Sequence, residues 1–311
     1  MRRGECNEEN GMSPSLISSW LPWTDRQGRF SGLRAAAFAL VLVPALLLAV
    51  DAWMGQLGSK PWTQAVHDTG TWAVRLLLVT LAVSPLRRIL DWGKLIGIRR
   101  MLGLSVLAYA LGHLALYCID LAFDWGLILS EIVKRFYLLV GITALVGLVA
   151  LGMTSTDGMI RRMGAKRWQR LHNLIYVITM LGLLHFALQS KIDVTQPALV
   201  TGLFALLMVY RGLDKLKISL TTPVLIAAAL ATGLATALCE TAWYALATGV
   251  SAWMVFQANA DFVVYQDLAS VRPGHWVALA GLTAALAGAF RRPKAKPARR
   301  VKTGAPARAM P

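Results

Sequence analysis

The chain has 311 residues, of which 56% are hydrophobic and only 15% are charged, and its mean hydropathy is +0.54. This balance excludes an ordinary soluble domain and indicates a membrane protein. A formal net charge of +16 would suggest nucleic-acid binding in a soluble protein, but in a membrane protein the distribution of charge along the chain is the informative quantity.

The chain begins with a polar segment, residues 1–32, and the first apolar run after it lacks a small-residue cleavage site. We therefore predict a retained first helix rather than a cleaved signal peptide. Eight apolar runs are long enough to cross about 30 Å of hydrocarbon. They cover residues 33–52, 71–86, 101–119, 136–153, 170–190, 196–211, 219–238 and 275–290. The predicted fold class is all-α, a polytopic transmembrane helix bundle of about eight spans.

These runs divide the chain into four predicted parts. Residues 1–32 form a cytoplasmic N-terminal arm, and residues 33–215 form a six-helix core. Residues 216–290 form a C-terminal extension with about two further transmembrane helices. Residues 291–311 are rich in Pro, Ala and basic residues, which predicts a disordered cytoplasmic tail close to anionic lipid headgroups.

The basic residues are distributed unequally between the two ends of the spans. With the N-terminus in the cytoplasm, most of them fall on the cytoplasmic side, in the arm, in residues 87–100, 154–170 and 211–217, and in the tail. Of the 32 Lys and Arg residues, those on the other side are Lys60, Arg75, Lys134, Arg135, Lys191 and Arg272. This asymmetry obeys the positive-inside rule and predicts that both termini are cytoplasmic. The charge therefore requires no nucleic-acid partner.

The histidines are candidate functional groups, because ionisable side chains are costly inside a membrane. His113 lies twelve residues after Met101, at the cytoplasmic start of the third span, and hence about 18 Å up that helix. His185 lies thirteen residues after His172 on the fifth span, and hence about 20 Å above it. His113 and His185 are thus predicted to share one depth in the outer half of the bilayer, with His172 near the inner surface. The two histidines expected to be solvated, in or beside the outer loops, are His67 and His275.

Two neutral imidazoles at one depth, without nearby carboxylates or thiolates, suit the axial positions of a haem iron better than zinc, which needs more ligands. The three cysteines form no C-x-x-C-H motif, which argues against a covalently attached c-type haem. Gly112 and Gly182, close to the two histidines, would let a flat macrocycle approach the backbone. The alternative is that each histidine hydrogen-bonds another helix.

Three further features each have two interpretations. Arg75, near the outer end of the second span, would pair with a haem propionate or extend to the membrane interface. His172 would either bind a second, inner haem or serve a quinone or flavin as a polar group at the side where electrons enter. Against the inner haem, Arg100 occupies the matching position on the third span, and thirteen residues separate His172 from His185 by about 140° around a helix. The basic residues 154–170 would bind a flavin phosphate or act only as a topology signal.

Four segments together resemble one known family. They are RLLLVTLAVSPLRRI (75–89), IRRMLGLSVLAYALGHLALY (98–117), TSTDGMIRRMGAKRWQRLHNLIY (154–176) and LLHFAL (183–188). In this order, over residues 70–215, the chain resembles the MsrQ (YedZ) family of the ferric-reductase-like transmembrane superfamily. Members of this family are the haem-binding membrane subunits of the bacterial periplasmic methionine-sulfoxide reductase system.

The resemblance implies a multi-pass protein of the bacterial inner membrane that binds haem b, with the family's histidines at His113, His172 and His185. It implies a redox subunit that takes electrons from a quinol. The electrons pass to a periplasmic molybdopterin-containing catalytic subunit, which reduces methionine sulfoxide in oxidised envelope proteins. Members are also described as binding FMN, so FMN is a second candidate cofactor.

The chain departs from the family pattern after residue 215, because members usually end near the sixth helix. No ligand set is evident in the extension, and residues 243–265 are expected to lie at the interface or against a partner. One alternative function is a stand-alone ferric or other metalloreductase, but the chain lacks a Gly-rich dinucleotide fingerprint. The other is a proton-coupled transporter, for which paired Gly or Pro helix breaks would be expected.

Overall fold

The computed structural model describes residues 21–25, 27–191, 193–260 and 271–290. Within these ranges the chain forms helices α1 (Gly32–Trp53), α2 (Pro61–Ile89), α3 (Arg99–Asp120), α4 (Trp125–Lys134), α5 (Phe136–Met153), α6 (Asp157–Met163), α7 (Ala165–His172), α8 (Ile175–Gln189), α9 (Thr195–Lys215), α10 (Thr222–Ala247), α11 (Ala252–Ala260) and α12 (Pro273–Ala289). A short 3-10 helix, Gly93–Ile98, precedes α3. The described residues contain no β-strand, only an isolated bridge between Thr24 and Phe30.

The all-α polytopic fold class is confirmed. Seven helical segments of the described chain are long and apolar enough to cross a membrane: α1, α2, the 3-10 helix with α3, α5, α7 with α8, α9 and α10. The eighth predicted span, residues 275–290, is present as α12. This helix has 17 residues, which is the lower end of the length range for a membrane span.

Two spans extend beyond their predicted boundaries. Helix α2 begins at Pro61 rather than at residue 71. The prediction missed its first turns because they contain polar residues such as His67 and Asp68 and therefore do not form part of an apolar run. Proline at the first helical position favours this start, since its missing N–H has no intrahelical partner there. Helix α10 continues to Ala247 rather than ending near residue 238.

Two predicted loops contain helices. Residues 154–170, expected to be a basic loop, form α6 and most of α7. The connection between α3 and α5 contains α4, whose N-terminus is capped by Asp124: the backbone N–H of Leu127 donates to its carboxylate at 3.0 Å. Both additions are short amphipathic elements at the ends of the bundle, where an apolar-run criterion does not detect them.

The bundle is built from helix pairs. Helix α2 packs along α3, α5 packs along α8, and contacts between α3 and α5 and between α2 and α8 join the two pairs. Helix α9 packs on α2 and also contacts α10 and α12, and α12 itself contacts α2. The most buried apolar residues of the first pair, Leu81 and Val106, are each only 1% exposed. Four helices, α2, α3, α5 and α8, therefore surround the centre of the core.

The C-terminal extension packs through small residues and one buried ion pair. Helices α10 and α12 approach so closely that a Cβ on Gly233 would lie 2.9 Å from the carbonyl oxygen of Gly274, as is common where small residues meet in membrane bundles. Near the end of α10, Glu240 accepts hydrogen bonds from the Arg272 guanidinium at 2.7 Å and from the Asn259 amide at 3.1 Å. The extension is thus a tightly joined helix group packed on α9.

Helix α1 is attached to the bundle through a tyrosine on α3. The Tyr109 hydroxyl donates to the carbonyl of Val41 at 2.7 Å and accepts from the N–H of Ala45 at 3.0 Å, on either side of the helix-internal Pro44. We expect Tyr109→Phe to lower the free energy of unfolding by about 1 kcal/mol, because both backbone groups lose this partner. Denaturation of the detergent-purified protein with SDS would measure the change.

Tyr210→Phe is the matched control for this prediction. The Tyr210 hydroxyl is buried and has no hydrogen-bond partner in the described structure, so its removal should leave stability unchanged or slightly higher. Equal destabilisation by both variants would contradict the assigned role of the Tyr109 hydroxyl.

Candidate functional site

A cavity of about 200 Å³ lies among α2, α3, α5 and α8. Its wall is largely apolar and is formed by residues such as Leu77, Val106, Leu148 and Ile178. The polar residues in its lining are His67, Thr71, His113, Tyr117, Tyr137, His185 and Gln189. The cavity therefore combines an apolar interior with two of the three histidines that the sequence singled out.

His113 is held against α2. Its Nδ1 lies 2.8 Å from the backbone carbonyl oxygen of Val66. The ring rests on Gly70, one helical turn further along α2: a Cβ at this glycine would lie 2.9 Å from both Cε1 and Nδ1 of the imidazole. No other residue type fits this position without moving the ring.

His185 is held against α5 in the same way. Its Nδ1 lies 2.7 Å from the backbone carbonyl oxygen of Tyr137. A Cβ on Gly141, again one turn further along the helix, would lie 2.8 Å from Cε1 and Nδ1 of the imidazole. Each histidine of the cavity thus has a backbone carbonyl and a glycine from the neighbouring helix as its support.

These hydrogen bonds define the protonation of both rings. A carbonyl oxygen only accepts, so Nδ1 of each histidine must carry the proton and donate it. In a neutral imidazole the other nitrogen, Nε2, then carries a lone pair available for a metal. A ligating histidine almost always donates its other N–H to a carbonyl, a carboxylate or water, which fixes the ring orientation and raises its basicity.

The separation of the two rings fits axial ligation of one iron. Their centroids are 6.2 Å apart and their planes are 85° apart. A metal–imidazole bond of about 2 Å, with about 1 Å from nitrogen to ring centre, places two opposed imidazole centroids about 6 Å apart. In the described part of the chain, no group of three or more His, Cys, Asp or Glu is placed to hold a metal ion. The donor set therefore suits a macrocycle-bound metal that needs only two protein ligands.

His172 lies outside the cavity lining. Its ring stacks on Trp168 with centroids 3.9 Å apart, and its Nε2 lies 3.2 Å from the Thr154 hydroxyl. Trp168 in turn donates from its indole nitrogen to the carbonyl of Thr154 at 2.8 Å. The structure therefore places His172 in a compact cluster between α7 and the end of α5, apart from His113 and His185.

Arg75 does not line the cavity either. Its guanidinium donates to the side-chain oxygen of Gln196 on α9 at 3.2 Å and lies 5.0 Å from the ring centroid of Trp72. Because α2 begins ten residues earlier than predicted, Arg75 lies near mid-helix rather than one turn from its end. His67, which was expected in an outer loop, instead lies in α2 and lines the cavity.

The two glycines expected beside the cofactor differ in position. Gly182 lines the cavity, whereas Gly112 does not. The sequence interpretation missed Gly70 and Gly141, against which the rings of His113 and His185 lie. A depth count along α2 and α5 from their outer ends, like that used for the histidines, would have found both glycines if the start of α2 had been known.

The region that contains the candidate histidines matches known proteins. The family model described as "Ferric reductase like transmembrane component" matches residues 69–183, which include His113 and His172 and end two residues before His185. A protein-methionine-sulfoxide reductase heme-binding subunit MsrQ from Xanthomonas campestris pv. campestris (strain B100) is 44% identical over 196 residues, which are 61% of this chain and 89% of the relative.

Further relatives with the same printed name agree. The protein from Rhodospirillum rubrum is 40% identical over 188 residues, covering 60% of this chain and 88% of the relative. The protein from Herminiimonas arsenicoxydans is 40% identical over 182 residues, covering 58% and 84%. No solved structure matches the chain significantly. These relatives are shorter than this chain, since the same aligned residues are a larger share of each relative.

Proposed function

The chain belongs to the MsrQ family of haem-binding subunits of protein-methionine-sulfoxide reductase, and from this membership we propose that it binds a b-type haem between His113 and His185. The observation that carries the proposal is the pair of imidazoles in one cavity, each with Nδ1 on a backbone carbonyl and with centroids 6.2 Å apart. The absence of a C-x-x-C-H motif from the sequence supports a non-covalent haem.

The residues of the chain would hold and orient the cofactor and shield it from water. His113 and His185 would each supply an imidazole nitrogen to the haem iron, and the carbonyls of Val66 and Tyr137 fix the direction of the rings. The apolar wall excludes water, which tunes the reduction potential. A haem at this site supplies one-electron transfer.

We infer that electrons leave the cavity towards the periplasm. His113 lies about two turns before the end of α3, and His185 about one turn before the end of α8. Both are therefore close to the end of the bundle that the charge asymmetry assigns to the outside. A periplasmic molybdopterin-containing methionine-sulfoxide reductase subunit is the proposed acceptor, and the bacterial inner membrane, with both termini cytoplasmic, is the proposed location.

The electron source is proposed to be a quinol, with entry at the inner end of the bundle. Helices α6 and α7 there carry the basic residues for which a flavin phosphate was considered, so FMN remains a candidate for this end. His172 as a ligand of a second, inner haem also remains a prediction. Its stacking on Trp168 and its contact with Thr154 would then have to change when that haem binds.

The visible spectrum of the full-length protein in detergent tests the haem proposal. We expect a coloured preparation with a low-spin, six-coordinate haem whose bands sharpen on chemical reduction and whose haem is released by acid extraction. A folded, monodisperse and colourless preparation that does not take up added haem would contradict the proposal.

The proposed donor and acceptor are tested by following the same bands during turnover. A short-chain quinol should reduce the haem. The periplasmic catalytic subunit with methionine sulfoxide should reoxidise it, whereas methionine sulfoxide alone should not. The same measurement is repeated with ferric chelates and without the catalytic subunit. If the chelates reoxidise the haem faster than the catalytic subunit with methionine sulfoxide does, the stand-alone metalloreductase is favoured instead.

A further inference from the structure

We propose that Gly70 and Gly141 are positioning residues that set the orientation, and through it the electronic properties, of the two axial histidines. This inference rests on the proposed haem between His113 and His185. Neither glycine contacts the metal in this account. Each acts through the imidazole that lies against it.

Each glycine leaves space that a histidine ring occupies. A Cβ at Gly70 would lie 2.9 Å from two atoms of the His113 ring, and a Cβ at Gly141 would lie 2.8 Å from two atoms of the His185 ring. The atoms in contact belong to a planar ring whose Nδ1 is fixed by a hydrogen bond, not to the free end of a flexible side chain. The ring would have to move as a whole.

Each glycine also leaves a backbone carbonyl of its own helix accessible to the imidazole. In a helix the Cα–Cβ bond tilts towards the N-terminus, so a side chain covers the turn before its own position. Residue 70 would therefore cover the carbonyl of Val66, and residue 141 that of Tyr137. Glycine leaves these carbonyls open, and a carbonyl oxygen has a second lone pair with which to accept from the imidazole.

The same arrangement occurs twice in the bundle. In each case a helix supplies a carbonyl near its first turns and a glycine four residues later, and the next long helix packed on it supplies the histidine. The paired residues are 47 apart for Val66 and His113 and 48 apart for Tyr137 and His185. Two separate helix pairs thus support an imidazole in the same way, which indicates that both histidines need this support.

Alanine at either glycine would therefore displace the histidine ring in one of two ways. The ring either loses its hydrogen bond to the carbonyl or turns Nε2 away from its partner ring. Loss of the Nδ1–H donation lowers ligand basicity, which raises the reduction potential because the ferric state is less stabilised. Changes in such supporting contacts typically weaken metal binding by about 10–100-fold.

The experiment compares Gly70→Ala and Gly141→Ala with Gly112→Ala in the haem-loaded full-length protein. Gly112 precedes His113 directly, but nothing lies within 4 Å of a Cβ at that position. All three changes add the same methyl group to a transmembrane helix. We expect Gly70→Ala and Gly141→Ala to shift the electron paramagnetic resonance g values, to raise the midpoint potential and to speed haem loss to apomyoglobin at least about tenfold. Gly112→Ala should match the wild type.

A double-mutant cycle covers the case in which a single variant fails to fold. If the ring is the obstacle, Gly70→Ala should cost stability in the wild type but not in His113→Ala, and Gly141→Ala should behave likewise with His185→Ala. An equal cost with and without the imidazole would overturn the inference. So would g values and potentials equal to those of Gly112→Ala. If the wild type itself binds no haem, the proposed function fails, and the cycle still decides whether the glycines position the rings.

Discussion

His113→Ala and His185→Ala are each expected to abolish the six-coordinate haem signal of the purified protein. An iron between two imidazoles loses one of its two protein ligands in either variant. Because the two ligands serve one iron, the variants should have the same effect, and the double variant should add little. Absorption and electron paramagnetic resonance spectra at equal protein concentration would measure the loss.

His275→Ala is the control for this experiment, because His275 lies in the first turn of α12 in the C-terminal extension and does not line the cavity. It should retain the wild-type haem content. A normal bis-imidazole spectrum in either His113→Ala or His185→Ala would show that the pairing is wrong. Loss of the only haem in His172→Ala, with retention in His185→Ala, would move the site to the inner end of the bundle.

The second large effect is expected in the C-terminal extension. Glu240→Ala should lower the free energy of unfolding by about 3–5 kcal/mol, because it removes one partner of a buried ion pair. The Glu240 side chain is 0% exposed and that of Arg272 only 26%, so the arginine charge would remain poorly solvated. The amide of Asn259, which is 8% exposed, would lose one of its two acceptors and keep the carbonyl of Val255. Denaturation with SDS in mixed micelles would measure the difference.

Asp214→Ala is the matched control for Glu240→Ala. Asp214 pairs with Arg88, but the two side chains are 39% and 49% exposed, and breaking an exposed ion pair typically costs about 0–1 kcal/mol. Glu240→Ala should keep the haem spectrum, since Glu240 does not line the cavity. A cost as small as that of Asp214→Ala would contradict the structural role assigned to the pair.

The histidine pair could be predicted from sequence because depth in a membrane depends on few quantities. A constant rise per residue and the side on which a helix starts suffice to compare His113 with His185. The supports of the rings could not be predicted in this way. The polar first turns of α2 hide its start, so neither the depth of Gly70 nor the position of Arg75 along the helix could be counted correctly.

Rotation around the helix axis was harder to predict than depth. The predicted angle of about 140° between His172 and His185 assumed one continuous helix, but a turn at Asn173 and Leu174 separates α7 from α8. The hydrogen-bond partners of His172 and Arg75 are Thr154, at the end of α5, and Gln196 on α9. No local pattern reveals the packing of these elements. Glu240 was missed for the same reason, because its partners Asn259 and Arg272 lie 19 and 32 residues away.

An experimental structure of the haem-loaded protein would show directly which residues bind the iron. We expect iron density between Nε2 of His113 and Nε2 of His185, with Nδ1 of each ring still on the carbonyl of Val66 or Tyr137. Iron bound by only one of these histidines, or a haem held solely at His172, would contradict the proposed pairing.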